Sequence, residues 1–184
     1  MNNTGVPTMF NGTRYRSRLE ARWSAFFDLL QWDANYEPFD LGGYIPDFVV
    51  NGRSTWGIEE QIFVEVKPVM GMADPLFDRA AAKMRKAVPS NKECLIVSYF
   101  LPRMVGIAGP GWLFEVKDTG EESSWGPAVF TADHETGRIG FAHSAGSYVD
   151  RITGFYNGDR GLGAVGIDSL WREAGNLVQW RPAP

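Results

Sequence analysis

Two short apolar runs constrain this chain more than anything else in it. Between them they carry three charges that a strand interior does not normally tolerate. The runs are Tyr44-Ile45-Pro46-Asp47-Phe48-Val49-Val50 and Ile62-Phe63-Val64-Glu65-Val66-Lys67-Pro68. Both are rich in β-branched and aromatic residues and bounded by Gly, Asn or Pro, which marks them as strands. Side chains alternate faces along a strand, so Phe63, Glu65 and Lys67 point one way and Ile62, Val64 and Val66 the other. A carboxylate and an ammonium thus stand side by side on one face of an apolar strand. Burying them is costly unless they pair or hold a metal ion. Asp47 adds a second carboxylate, and the 17 residues between Asp47 and Glu65 are enough for a hairpin that brings the two strands together.

The elements around these runs follow from local pattern. Residues 1–12 read as an arm with a strand around Pro7–Phe10, and Thr13 to Trp32 reads as the first helix. Leu19, Trp23, Phe26, Phe27 and Leu30 form its apolar stripe. Glu20 sits at the edge of that stripe, and two roles are open to it. It can look toward the sheet, or it can close a capping box, Ser17-x-x-Glu20, by reaching back to the Ser17 amide. The strand charges downstream favour the first. Arg14, Arg16, Arg18 and Arg22 crowd the start of this helix, with Arg18 and Arg22 sharing a face. Surface arginines are usually just solvated, but in an acidic protein these four are the best candidates for phosphate contact. Asn35–Leu41 reads as a strand placed at an edge by Pro38, and Gly42-Gly43 turns the chain into Tyr44–Val50. Asn51-Gly52 signals a hairpin turn, with the loop running on to Glu60 and with Glu59 and Glu60 as solvated charges. Asp74 caps a second helix ending near Val88, with Pro75 in its first turn. Leu76, Ala80, Met84 and Ala87 are its expected apolar stripe. Lys83, Arg85 and Lys86 lie toward its C-terminus, where the dipole favours cations and accounts for them; DNA phosphate contact by Lys83 and Lys86 would be an addition to that role. Glu93–Leu101 is nearly all apolar, as an interior strand is.

The second half carries less. Gly111–Lys117 repeats a Glu-x-Lys, in Glu115 and Lys117. No aspartate lies in a preceding strand and Asp118-Thr119-Gly120 follows as a turn, so a solvent-facing strand edge is expected. Ala128–Asp133 and Arg138–His143 read as a hairpin, and His134 and His143 are too few for a histidine-based zinc site. The glycine-rich stretch from Gly154 to Gly166 lacks the ending and the preceding strand of a phosphate loop. Asp168 or Ser169 is expected to cap a short terminal helix through Ala174. There are no repeats and no linker, so residues 1–184 read as one domain: a core over about 13–101 and a C-terminal elaboration over about 102–184, a β-hairpin and a short helix. With 7 Trp and 12 Phe, the 184 residues hold enough apolar bulk for a substantial core. The single cysteine, Cys94, excludes a disulfide framework and a cysteine-rich zinc site, and reads as a buried thiol. No apolar run approaches the ~20 residues of a membrane span, and the polar start Met1–Gly5 shows no signal peptide. A cytoplasmic location and no membrane partner are expected.

The order helix, three strands, helix, strand, with Pro46-Asp47 on one strand and Glu65-Val66-Lys67 on the next, resembles the PD-(D/E)XK nuclease superfamily. The resemblance covers roughly residues 13–100. Pattern alone gives an α/β fold with a mixed sheet. The resemblance implies a restriction-endonuclease-like core, a central mixed sheet flanked by helices in α-β-β-β-α-β order, and places Glu20 as the acidic residue on the helix before the first strand. It implies an endonuclease that hydrolyses DNA phosphodiester bonds with Mg²⁺, with Mn²⁺ expected to substitute. Asp47 and Glu65 would be direct ligands of a hard ion that takes oxygen donors. The carbonyl of Val66 would be a third, with Glu20 completing the shell through water or helping to place a second ion. Such an ion lowers the pKa of bound water and screens the phosphate. Lys67 would hold or polarise the attacking water and stabilise developing negative charge.

DNA is the expected partner, bound by a single chain, a homodimer or a larger nucleoprotein complex. The net charge of −4 argues against tight, sequence-independent duplex binding. Two rivals remain: a catalytically inactive member of the fold acting as a binding or assembly protein, and a nuclease directed at RNA. A plain Glu65–Lys67 salt bridge is a simpler account, but it leaves Asp47 and Glu20 unexplained.

Overall fold

The apolar runs assemble into one mixed sheet in the computed structural model, which describes residues 5–54, 56–104, 106–117, 126–133, 136–144, 149–155 and 164–179. In chain order the elements are β1 (Thr8–Phe10), β2 (Thr13–Tyr15), α1 (Arg18–Leu29), β3 (Asp33–Tyr36), β4 (Phe48–Arg53), β5 (Glu59–Val66) and α2 (Pro75–Ala87). Then come β6 (Lys92–Val97), β7 (Arg103–Met104), β8 (Ile107–Ala108), β9 (Gly111–Val116), β10 (Gly126–Ala132), β11 (Ile139–His143) and α3 (Ala164–Leu177). The central sheet has seven strands in the order β11-β10-β9-β6-β5-β4-β3. Only β5 and β6 run parallel, because α2 crosses between them; the other neighbours are antiparallel. The fold is therefore α/β. No helix among the described residues is long and apolar enough to cross a membrane.

Helices cover both faces, and alternation along the strands decides what each face holds. Phe48, Val50, Ile62, Val64, Val66, Leu95 and Val97 pack with Trp23, Phe26 and Phe27 of α1 and with Ile167, Trp171 and Ala174 of α3. Val49, Phe63, Cys94 and Ile96 face the other way, toward Phe77, Ala80, Ala81 and Met84 of α2. Asp47 and Glu65 share the odd-numbered parity of Val49 and Phe63, so both belong to the α2 side.

Several elements differ from expectation, each for a physical reason. The first helix starts at Arg18, not Thr13, because Ser17 caps it and accepts from the Glu20 amide at 3.1 Å. Thr13–Tyr15 pairs instead with Thr8–Phe10 across Asn11-Gly12, both at positive φ, which puts Arg14 on a strand. The buried face of α2 is Phe77, Ala80, Ala81 and Met84, and Leu76 turns outward. Asn51-Gly52 is strand, not turn. A Cβ on Gly52 would collide with the Arg151 carbonyl, which accepts from the Arg53 amide at 3.0 Å, so the glycine serves a close backbone approach. The reversal comes later, at Ser54–Gly57. Glu59 and Glu60 are exposed, as expected, but lie in β5. β3 is an edge strand shifted back to Asp33–Tyr36, before Pro38.

The C-terminal half is integral to the sheet. β9 is an inner strand paired with β6 and, at Trp112 and Leu113, with β10, so Gly111–Lys117 is not a solvent-facing edge. The β10–β11 hairpin forms as read, and His143 at its end is buried. Asp168 and Ser169 lie inside α3, not at its cap. His134, the Asp118-Thr119-Gly120 turn and most of the glycine-rich stretch lie outside the described residues.

Candidate active site

The β4–β5 register pairs Phe48 with Val64, and continuing it by one residue sets Asp47 opposite Glu65. Both carboxylates are 2% exposed. Asp47 Oδ2 accepts from the Val66 amide at 2.8 Å and lies 3.5 Å from Lys67 Nζ. Glu65 Oε1 lies 2.8 Å from the same nitrogen, which also donates to the Val66 carbonyl at 3.1 Å. Oxygens of Asp47, Glu65 and Val66 thus converge on one cationic position, and the Lys67 ammonium stands in it. The Lys67 side chain is 32% exposed.

Burial pushes the Glu65 carboxyl above the usual range. Asp47 pushes the same way, while Lys67 and the Tyr44 hydroxyl act against it. Burial tends to lower the Lys67 amine, but Asp47 and Glu65 outweigh it and the net displacement is upward. The amine is therefore charged at neutral pH.

A ring of residues holds these groups. Tyr44, buried, donates its hydroxyl to Glu65 Oε2 at 2.8 Å. Its phenol is shifted upward by burial and by Glu65, so it acts as a donor and not as a base. Arg16 reaches Asp47 Oδ1 through Nη2 at 2.5 Å and Glu37 Oε1 through Nε at 2.7 Å. Tyr44, Glu37 and this role of Arg16 escaped the sequence reading. Glu20 takes its capping role: Oε1 accepts from the Ser17 hydroxyl at 2.8 Å. Oε2 accepts from the Arg16 amide at 3.1 Å, one residue before the Ser17 amide expected, and from the Tyr36 hydroxyl at 2.7 Å. Among the described residues its link toward Asp47 is Arg16, whose Nε is 3.9 Å away. The structure brings together Asp47, Glu65, Val66 and Lys67, and sets Glu20 beyond Arg16.

The other basic candidates separate. Arg22 stacks on Trp171 at 3.7 Å and donates to the Trp171 carbonyl, so it pins α1 to α3; burial lowers its pKa. Arg18 lines an open cleft of about 720 Å³ between α1 and α3, with Arg172 and Glu173. Arg14 and Lys86 are exposed. Lys83 lies over the Tyr44 ring at 4.9 Å, next to the site. The second Glu-x-Lys is remote: Glu115 pairs with Glu93 at the start of β6, whereas Glu65 pairs with Ile96 near its end.

The donor chemistry suits a hard divalent cation, since it is all oxygen: two carboxylates and a backbone carbonyl. No cluster of three or more His, Cys, Asp or Glu side chains suited to a metal occurs among the described residues, so water would have to fill the remaining positions. Comparison with protein-family models, curated proteins and solved structures finds no match to this chain.

Proposed function

We propose that the chain is a Mg²⁺-dependent nuclease that hydrolyses phosphodiester bonds in DNA, built on a restriction-endonuclease-like core. The observation that carries the reading is the convergence of Asp47, Glu65 and the Val66 carbonyl on one cationic position, with a lysine two residues along the same strand. The order α1, β3, β4, β5, α2, β6, with β5 and β6 parallel, supports the same reading. Asp47, Glu65 and the Val66 carbonyl would hold the ion. When bound, it supplies a water of lowered pKa and positive charge against the phosphate. The ion would take the place of the Lys67 ammonium, whose side chain is part-exposed and could turn away from the carboxylates. The ammonium could then orient the attacking water or neutralise a phosphate oxygen. Tyr44 donates to Glu65, which favours its ionised form and aims it. Asp47, Glu65 and Glu37 face Arg16 and Lys67, so the metal-free group carries a net negative charge that favours uptake of a divalent ion.

One observation favours a second reading, an inactive binding or assembly protein: Arg16 and Lys67 already pair with both carboxylates. Incubating the protein with supercoiled, linear, single-stranded and branched DNA, and with RNA, in Mg²⁺ or Mn²⁺ separates the two. Cleavage that Asp47→Ala abolishes supports the nuclease. Absence of both cleavage and a Mg²⁺-dependent rise in melting temperature sinks it in favour of the scaffold.

A further inference from the structure

Just past the site, the chain carries apolar side chains outward. Lys67 pairs with the end of β6 through its amide, which donates to the Val97 carbonyl at 2.9 Å. The two segments stay together beyond that point: the Ser98 hydroxyl donates to the Val69 carbonyl at 2.6 Å, and the Tyr99 hydroxyl meets the Met70 sulfur. Met70 is three residues from Lys67, a span of at most about 11 Å. Yet Tyr99 is 41% exposed and Met70 is 72% exposed.

The exposed ring is rigidly mounted. The Ser98 carbonyl accepts from the Trp23 indole at 2.7 Å, which anchors the backbone before it. The Tyr99 ring meets Phe100 edge-to-face at 5.2 Å, Phe100 meets Trp112 at 6.2 Å, and Trp112 meets Phe77 at 5.7 Å. Tyr99 is the outermost ring of a run rooted in the α2-side core. A fixed, exposed aromatic beside a phosphate-handling lysine is suited to stacking a nucleobase, with Met70 as a soft, polarisable neighbour.

Charge points the same way. The chain is acidic overall, Arg16 is committed to Asp47 and Glu37, and Arg22 is committed to Trp171. With these two arginines engaged, phosphate contacts supply less of the affinity. Stacking does not depend on charge, but a base offers its face to a protein ring only when it has left the duplex.

Resting on the nuclease reading, we propose that Tyr99, backed by Met70, is a stacking platform for an unpaired base of the DNA strand whose phosphate lies at Lys67. The substrate is then single-stranded, flapped or frayed DNA, not intact duplex.

The test is fluorescence anisotropy with a labelled single strand of about twelve nucleotides and its blunt duplex. Ca²⁺ replaces Mg²⁺ as the oxygen-seeking ion. A parallel cleavage assay in Mg²⁺ uses the same substrates. Wild type should prefer the single strand. Tyr99→Ala should weaken single-strand binding roughly ten- to a hundredfold, leave duplex binding unchanged, and lower the melting temperature by no more than about 5 °C, the worth of the lost contact with Phe100. Tyr99→Phe should keep the affinity within about twofold, because stacking needs the ring and not the hydroxyl. A Tyr99→Ala protein that binds and cuts the single strand like wild type overturns the platform and leaves the nuclease standing. Tyr99-dependent binding without any cleavage upholds the platform and removes the nuclease. A wild type that binds neither DNA overturns both.

Discussion

Replacing Lys67 by alanine distinguishes a cation-binding site from a structural ion pair. The lysine is the counter-charge of Glu65 at 2.8 Å and a weaker partner of Asp47 at 3.5 Å. Removing one member of a buried pair typically costs about 3–5 kcal/mol. Here the loss is smaller, because Asp47 keeps Arg16 and the Val66 amide, Glu65 keeps the Tyr44 hydroxyl, and water can take the place of the part-exposed lysine side chain. We expect about 2–3 kcal/mol near neutral pH, at roughly 2–4 °C per kcal/mol a fall in melting temperature of about 5–10 °C. The pH dependence has a definite sign. Glu65 already titrates above the ordinary carboxylate range, and losing the lysine raises it further. A raised acid is tolerated below its unfolded pKa and loses stability as pH rises through the folded one. The Lys67→Ala deficit should therefore be small in mild acid and grow toward alkaline pH. Millimolar Mg²⁺ should recover much of it, since a cation again faces Glu65, while cleavage stays low. Lys67→Arg should not restore full cleavage, because a planar guanidinium cannot replace a compact ammonium beside a water. Thermal melts across pH, with and without Mg²⁺, and a plasmid-nicking assay read all of this. A deficit that is the same at every pH and untouched by Mg²⁺ would refute the argument that these oxygens hold a cation.

Asp47→Ala should abolish cleavage, whereas Glu115→Ala and Lys117→Ala should leave it within about twofold, since Glu115 pairs with β6 at its far end; equal losses in a plasmid assay would mean that the wrong Glu-x-Lys was chosen. Arg16→Ala frees Asp47 Oδ1, so calorimetric Mg²⁺ affinity should rise several-fold while the metal-free protein melts about 2–4 °C lower, as for a half-exposed ion pair; weaker Mg²⁺ binding would make Arg16 a support of the site and not a competitor for it. Mg²⁺ affinity should fall as pH drops through the raised Glu65 range, and Tyr44→Phe, which removes a donor to the ionised form, should move that fall to higher pH; an unmoved midpoint counts against Glu65 as a ligand.

Much of the core was legible because its signals are local. Asp74-Pro75 fixes the start of α2, and the structure begins that helix at Pro75. Period-two alternation puts Glu65 and Lys67 on one face, and the antiparallel register then brings Asp47 to them. What stayed hidden depends on partners distant in sequence. Asn51-Gly52 has the composition of a turn, but the Arg151 backbone needs the glycine where it stands. The strand Gly111–Val116 looked like an edge because the strand that covers it comes later in the chain. Tyr44 and Glu37 offered no period and no motif; their roles arise only when the residues before β4 fold over the end of β5. Arg16 is different, because its signal was present. Ser17-x-x-Glu20 marks Ser17 as the cap, and a cap at Ser17 leaves Arg16 outside the helix, free to turn toward the sheet.

That position of Arg16 explains how two buried carboxylates coexist without an obligatory ion. Arg16 and Lys67 are not equivalent counter-charges. The guanidinium divides between Asp47 and Glu37 and can keep the second while releasing the first. The ammonium has three oxygen partners, all within the site: Asp47, Glu65 and Val66. A divalent ion entering among those oxygens would displace the ammonium, whereas Arg16 holds the other oxygen of Asp47 and can stay there or shift onto Glu37. A displaced Lys67 is free to meet the negative charge of a bound ligand. The same lysine that stabilises the protein alone is thereby left charged and unpaired beside the ion, which is where hydrolysis of a phosphodiester needs a positive group.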